Sequence, residues 1–439
     1  MKEQHTENRQ TNRKAETQNG WRGLLQKINE GIHDMCHIWA YEMKNTVKDE
    51  GVLIFFILVP LLYPILYAWL YNNETVHEVP VAVVDHSHSQ LSRKFIRQFD
   101  ASPNVKVAAY SNSIEEAKPL IGKQEARGII YFPSDFASNL NTGKQAHVSI
   151  YCDMSIMLYY KAIYQTATEI SLGMGEQIQK KGGMGMTDRD DEITIQPLAY
   201  EDVPIFNPSG GYAAFILPGV LILILHQTLL LGIGMAAGTA RENNRYRDLV
   251  PVSRHYNGVF RIVLGKSLCY FMVYAVMGAF VTLCIPRMFN LVQLVQMDDY
   301  IGLMVPFLLS TIFFGMMISC VVRYRENVML IIVFTSVPLL FLSGISWPQS
   351  NIPGAWRAIA ALFPSTFGVR GFVRLNTMGA TLADIRFEYQ ALWIQTTIYF
   401  FATCAVYRYQ IIQARLHATE SARKMKEKIM KAKASSEPS

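Results

Sequence analysis

One apolar span, Val52–Leu70, stands near the N-terminus, a long polar stretch follows it, and five further apolar spans crowd the C-terminal half. A run of about 20 apolar residues crosses a bilayer. The chain therefore reads as a polytopic α-helical membrane protein of six transmembrane helices, with a folded α/β domain inserted between helices 1 and 2. This layout excludes most soluble-enzyme classes before any motif is considered.

Composition agrees with lipid-facing surface. Of 439 residues, 50% are hydrophobic and only 17% charged, where soluble domains carry about a quarter. The net charge of +6 is not a nucleic-acid signature, because the basic residues sit beside the spans and in the tail, where they set membrane orientation. The six cysteines make no disulfide framework. Cys269, Cys284, Cys320 and Cys404 lie in apolar spans, Cys36 precedes the first span, and Cys152 is alone in the insertion. No cleavable signal peptide is expected. The first apolar run is too long and too far from the start, and reads as a retained anchor.

Residues 1–20 are polar and read as a disordered cytoplasmic N-terminus. Residues 21–50 read as an amphipathic interfacial helix, with Trp21, Leu24, Leu25, Ile28, Ile32, Met35, Ile38, Trp39 and Met43 at helical spacing. The first transmembrane helix falls in 51–71 and the extracytoplasmic domain in 72–210. Helices 2–6 fall in 211–407, with a cytoplasmic coupling loop at 238–266 and an outer re-entrant segment at 344–388. A basic cytoplasmic tail occupies 408–439. The expected spans are Val52–Leu70, Ala213–Ala237, Leu268–Ile285, Ile301–Val322, Val328–Ile345 and Tyr389–Tyr407. Arg241, Arg245, Arg247, Arg254, Arg261 and Lys266 mark one loop as cytoplasmic, and Arg323 and Arg325 another. Both termini are then cytoplasmic and the insertion lies outside.

Within the insertion, Val79–Val84, Val105–Tyr110, Gly128–Phe132 and Val148–Tyr151 read as strands. Ser89–Phe99 and Met157–Ile178 read as helices, and Ser113 with Glu116 as a capping box opening another. The segment Ser343–Glu388 is rich in Gly and Pro yet apolar, with a short helix expected over Trp356–Phe363. Irregular backbone at membrane depth survives only where protein or a wet cavity satisfies it, so an outer re-entrant or interfacial hairpin is expected. Pro60, Pro64 and Pro218 should kink their helices.

Three stretches resemble the type-2 permeases of ATP-binding-cassette (ABC) exporters, in the branch with a large outer domain after the first span. The first is Val81-Ala-Val-Val-Asp85 with Ser87, Ser89, Leu91, Ser92 and Phe95, then Gly128-Ile-Ile-Tyr-Phe-Pro133 with Phe136 and Leu140. The second is the loop Arg241–Lys266, with Leu249, Pro251, Val252, Ser253, Arg254 and Gly265-Lys266. The third, the most specific, is Leu342-Ser-Gly344, Trp347-Pro348, Ile352-Pro353, Trp356 and Pro364-Ser-Thr366, with Arg370 and Gly379 beyond. The resemblance covers almost the whole chain. It implies an exporter permease in a plasma or bacterial inner membrane, paired with a second copy or a homologue. It also implies a separately encoded ABC ATPase that holds the ATP and Mg, and a possible periplasmic adaptor. No cofactor is expected on this chain itself. Arg241, Glu242, Arg245, Arg247, Pro251 and Arg254 would couple to the ATPase. The family's acidic loop start is matched here only by Glu242.

The residues support this independently. The nearest approach to a P-loop, Gly258 with Gly265-Lys266-Ser267, has two extra residues between its glycines and enters a span rather than following a strand. The chain is therefore read as a transport subunit and not as an ATPase. His226 and Gln227 lie inside the second span and are candidates for the translocation path, or else for a helix–helix hydrogen bond. Gly344, Trp347, Pro348, Pro353, Trp356 and Pro364 mark the outer re-entrant motif. His33 with His37, and Asp85-His86-Ser87-His88, lack the further ligands of a metal shell. Asp188-Arg189-Asp190-Asp191-Glu192 has Ile193 where a calcium loop needs Gly. No metal site is expected. Two other classes stay open: a mechanotransmitting or partner-binding membrane protein that uses the outer domain, and a membrane enzyme. The outer domain shows no nucleophile, base and orienter set to favour the second.

Overall fold

The computed structural model describes residues 29–72, 74–182, 205–207, 210–242, 258–319 and 325–434. They fall in two compact units, one made of Met1–Asn72 with Ala213–Ser439 and the other of Asn73–Tyr212.

The first unit is helical. Helix α1 covers 29–48. Asp49 then caps α2, Glu50–Leu70, its side chain accepting from the backbone N–H of Gly51 and Val52. The remaining helices of this unit are α7 (Tyr212–Glu242), α8 (Val259–Met288), α9 (Met297–Ser319), α10 (Arg325–Leu342), α11 (Gly354–Ala360), α12 (Pro364–Met378) and α13 (Arg386–Ala434). Four of the described helices are long and apolar enough to cross a membrane: α2, α7 up to Thr239, α8 and α9. A shorter apolar helix covers Glu326–Leu342. The sixth expected span lies in the first half of α13, where Gln395, Thr396, Thr397 and Tyr399 dilute the hydropathy.

Two of the proline-containing helices, α2 and α8, widen to a π turn just before a proline. The turns are Ile54–Leu58 ahead of Pro60 and Phe280–Cys284 ahead of Pro286. Proline has no N–H and its ring crowds the carbonyl one turn back, and a wider turn relieves that clash. The freed carbonyls find other donors. Thr282 O accepts from Gln293 Nε2 at 2.9 Å, and Phe55 O accepts from the Tyr274 hydroxyl at 3.3 Å.

Contacts fix the relative directions of the helices. Phe56 packs edge-on to Tyr270 and Tyr274, and the C-terminal part of α2 meets the end of α8, so these two run parallel. Thr282 donates to the Tyr300 hydroxyl at 2.9 Å while Gly278 faces Met304, so α8 and α9 are antiparallel. Gly234 faces Val328 and Gly219 faces Ile345, just past the end of α10, so α7 and α10 are antiparallel. Thr396 and Thr403 donate to the carbonyls of Pro306 at 3.2 Å and Phe313 at 2.8 Å. Each pair lies about two turns from the next, and α9 and α13 run parallel.

The second unit is an α/β fold. Strands β1 (Val79–Asp85), β2 (Val105–Tyr110), β3 (Gly128–Phe132) and β4 (Ser149–Cys152) form one sheet of order β2-β1-β3-β4. β1 is parallel to both neighbours, and β4 is antiparallel to β3. Alternation along β1 sends Val81 and Val83 to one face and Ala82 and Val84 to the other, both buried. Helices α3 (Gln90–Asp100) and α6 (Met157–Gly182) cover the first face, with Phe95, Phe99 and Ile163 in its core. α4 (Ile114–Gly122) covers the second through Ala117, and α5 (Phe136–Asn141) is a short connector. The reciprocal capping box falls at Ser89 and Ser92. At Ser113 only half of the expected box forms, because the Glu116 carboxylate takes the N–H of Asn112 instead.

Candidate functional site

The first candidate region joins α1 to the start of α8. Asp34 Oδ2 meets Arg261 Nη1 at 2.6 Å, and Glu42 Oε2 meets Lys266 Nζ at 2.8 Å. The Tyr270 hydroxyl donates to the other oxygen of Glu42. Asp34, Glu42 and Lys266 are all buried. Between the two ion pairs Gly265 lets α1 approach. A Cβ there would stand 2.9 Å from Ile38 Cβ and 3.0 Å from the Met35 carbonyl oxygen, too close for any larger residue. The expected loop 238–266 is thereby shortened. Residues up to Glu242 continue α7, and Val259 onward already belongs to α8, since the apolar side chains on either side favour helix over exposed backbone. Lys266 is thus not a loop cation but a buried partner of Glu42. Arg241 and Glu242 end α7, whereas Arg245, Arg247, Pro251 and Arg254 lie outside the described residues.

The second region is on α7. His226 is fully buried, its ring 6.5 Å from that of Phe314 and nearly parallel to it. Neither ring nitrogen has a hydrogen-bond partner among the described residues. Each unpaired buried polar atom costs about 1–3 kcal/mol, a penalty that packing alone does not require. Gln227 Nε2 is likewise buried and unpaired. It faces a cavity of about 170 Å³ between α7, α9 and α10, otherwise walled mainly by Leu230, Phe314, Ile318, Ile332 and Phe363.

The third region is the segment between α10 and α13. Gly344 takes a left-handed turn at φ +91°, a conformation that suits glycine. Pro348 and Pro353 precede a 3-10 turn and α11, and Pro364 opens α12. The short helix begins at Gly354, earlier than expected, and stops at Ala360. Trp347 and Trp356 are half-exposed or more. Ala360 O, which also takes the Phe363 N–H, and the carbonyls of Ala361 and Leu362 just beyond α11 each receive a side-chain donor. Thr366 donates to Ala360 O at 2.7 Å, Gln395 to Ala361 O at 2.7 Å, and the Tyr399 hydroxyl to Leu362 O. Nearby, Glu388 on α13 is buried and holds Arg370 at 3.1 Å and Arg374 at 3.3 Å, both on α12. Thr396 and Thr397 also donate to their own helix at 2.8 and 2.9 Å, as Thr commonly does.

Sequence reasoning missed the α1–α8 clasp and the Glu388 pair of arginines. The signal was present. Asp34 and Glu42 lie on one helical face among apolar residues, and Arg370 and Arg374 stand one turn apart. In the second unit Asp85 Oδ1 accepts from the N–H groups of Ser87 and His88, and Oδ2 accepts from Ser92 Oγ. His86 Nε2 donates to Asn112 O at 2.6 Å. Asp85 and His86 are thus engaged in local structure. Among the described residues no group of three or more His, Cys, Asp or Glu could hold a metal ion. The acidic run at 188–192 lies outside the described residues.

Comparison with known proteins adds a lineage. Residues 51–407 match the profile of a family described as ABC-2 family transporter protein. The probable multidrug ABC transporter permease YbhR of Escherichia coli (strain K12) is 19% identical over 324 residues, 73% of this chain and 84% of that protein. The protein of the same name from Escherichia coli O157:H7 aligns with the same figures.

Proposed function

Because the chain belongs to the ABC-2 family of transporter proteins, we propose that it is the membrane-spanning subunit of an ABC exporter driven by a separately encoded ATPase. The family is one of multi-pass permeases, and membership implies an ABC ATPase partner and pairing of two permease chains. The observation that carries the reading is the extent of the match, residues 51–407, which runs through every apolar helix described above.

Six alternating crossings follow, with α2, α7, α8, α9, α10 and the first half of α13 as the spans. The helix directions support this. α2 and α8 are parallel, α8 and α9 antiparallel, α7 and α10 antiparallel, and α9 and α13 parallel, as alternation requires. For α9 and α13 to run the same way the chain must return between them. α10 has 18 residues, or about 27 Å of helix, enough for the hydrocarbon core. The basic loops put both termini in the cytoplasm and the α/β unit outside. The segment 344–388 is then an outer hairpin with its backbone satisfied by α13.

Coupling runs through the start of α8. Residues 243–257 precede it directly, and α1 is bound to it by two ion pairs, so a push on the loop moves both. Cargo passes along α7 by His226 and Gln227, whose unpaired polar atoms support a transport role. The test is co-purification of the tagged protein in mild detergent with measurement of ATP hydrolysis. An associated ATPase that is lost when Arg245, Arg247 and Arg254 are replaced by Ala is the expected result. No ATPase from a folded preparation would overturn the reading.

A further inference from the structure

The second unit carries a groove of about 1300 Å³ along α3. Two independent facts make it more than a surface dip. It opens at the carboxyl ends of the parallel strands β1 and β2, bounded by Asp85 and Ser111. The helices that follow these strands go to opposite faces of the sheet, and open α/β sheets take their ligands beyond the carboxyl ends of their strands. Its charge is also uncompensated. Arg93, Lys94 and Arg97 all line it.

None of these three cations is paired with a carboxylate among the described residues. Arg93 reaches only the His88 carbonyl at 3.4 Å, Arg97 only the Arg93 carbonyl at 3.4 Å, and Lys94 the Gln177 amide oxygen at 2.5 Å. The acid that lines the groove, Asp85, is occupied by its own turn and by Ser92. Asp100 at the end of α3 caps the N–H of Val107. Like charges one turn apart on a helix, as at Arg93 and Arg97, weaken it by a few tenths of a kcal/mol. Both guanidinium groups are exposed along the groove, where an anion can reach them. Beneath the cations the wall is apolar, formed by Ile96, Leu140 and Met174.

We propose that this groove binds an anionic amphiphile, its carboxylate or phosphate group held by Arg93, Lys94 and Arg97 and its apolar body laid against Ile96, Leu140 and Met174. The guanidinium forks suit a two-oxygen anion, and the apolar wall distinguishes an amphiphile from a small inorganic ion. The assignment rests on this unit alone and stands whichever side of the membrane the unit occupies.

The experiment is photolabelling of the full-length protein in phosphatidylcholine nanodiscs with a diazirine-bearing myristate, followed by peptide mapping. Saturable labelling of α3 and α6 is expected, displaced by unlabelled myristate but not by tetradecylamine or inorganic phosphate. Replacing Arg93, Lys94 and Arg97 together by Gln should cut that labelling about tenfold or more, as expected for lost charge-assisted contacts. Arg93→Lys with Arg97→Lys should retain more of it than the Gln variant, because the charge is kept while the fork geometry is lost. Labelling confined to the membrane helices, displacement by the amine, or equal labelling of a folded Gln variant would each overturn the proposal. Displacement by phosphate alone would show a plain anion site and overturn the amphiphile assignment.

Discussion

Lys266 Nζ lies 2.8 Å from Glu42 Oε2, with 10% and 8% of their side chains exposed, so the N-terminal helix is tied to the start of α8 by a buried charge pair. Removing one member of such a pair costs about 3–5 kcal/mol, because the other is left buried and alone, whereas replacing both by apolar residues is often neutral. Glu42→Leu and Lys266→Leu should each lower the melting temperature in detergent sharply, and the double variant should recover most of the loss. If the double variant falls by the sum of the two, the residues do not act as a pair. The double variant is also expected to retain bound ATPase but to stimulate it less, as measured by hydrolysis in nanodiscs.

His226 gives a prediction of the opposite sign. His226→Leu removes two unpaired buried nitrogens, each unfavourable by about 1–3 kcal/mol. The variant should melt higher than the parent and yet lose transport-coupled ATPase stimulation. A variant that is both more stable and fully coupled would sink the role of His226 in the translocation path.

His88 sits at φ +45°, in the left-handed region where a β-carbon crowds the following carbonyl by roughly 1–2 kcal/mol. His88→Gly should leave thermal stability unchanged or raise it by about 1 kcal/mol equivalent, and His88→Val should lower it by a similar amount. Equal melting curves for the Gly and Val variants would show that the turn relaxes.

Burial pushes the Cys152 thiol up to about 11, so at neutral pH almost none of it is thiolate, the reactive form. In a variant whose other cysteines are Ser, maleimide should react slowly at pH 7 and about tenfold faster per pH unit up to about pH 10, until the thiolate fraction levels off. Unfolding should make the pH 7 reaction fast. A rate already at its plateau at pH 8 would mean that the thiol is not held in this environment. Membrane-impermeant reagent added from outside to cells then reports on which side the α/β unit lies.

Local pattern carried the sheet well. The expected runs at Val79–Val84, Val105–Tyr110 and Gly128–Phe132 coincide with β1, β2 and β3 to within a residue, because alternating β-branched residues closed by Asp85 and Pro133 leave little freedom. The amphipathic pattern from Trp21 predicts an interfacial helix, and its described part, 29–48, also turns a charged face toward α8. That face answers residues more than two hundred positions away, with separations of 227 for Asp34–Arg261 and 224 for Glu42–Lys266. No periodicity in a local window reports such a partner. The same holds for His226. Its place inside the span was readable, but the absence of a partner depends on which residues α9 and α10 present to it.

Two carbonyls just past α11, those of Ala361 and Leu362, take side-chain donors that the ribosome makes later. Gln395 and Tyr399 follow the groups they satisfy by 34 and 37 residues. Until α13 has emerged these two carbonyls lack their donors, and a segment placed at membrane depth would find none in lipid. Synthesis of α13 is then also the step that completes the segment between α10 and α13. A chain cut short before Arg386 would leave those two carbonyls without these donors and should hold the segment less firmly.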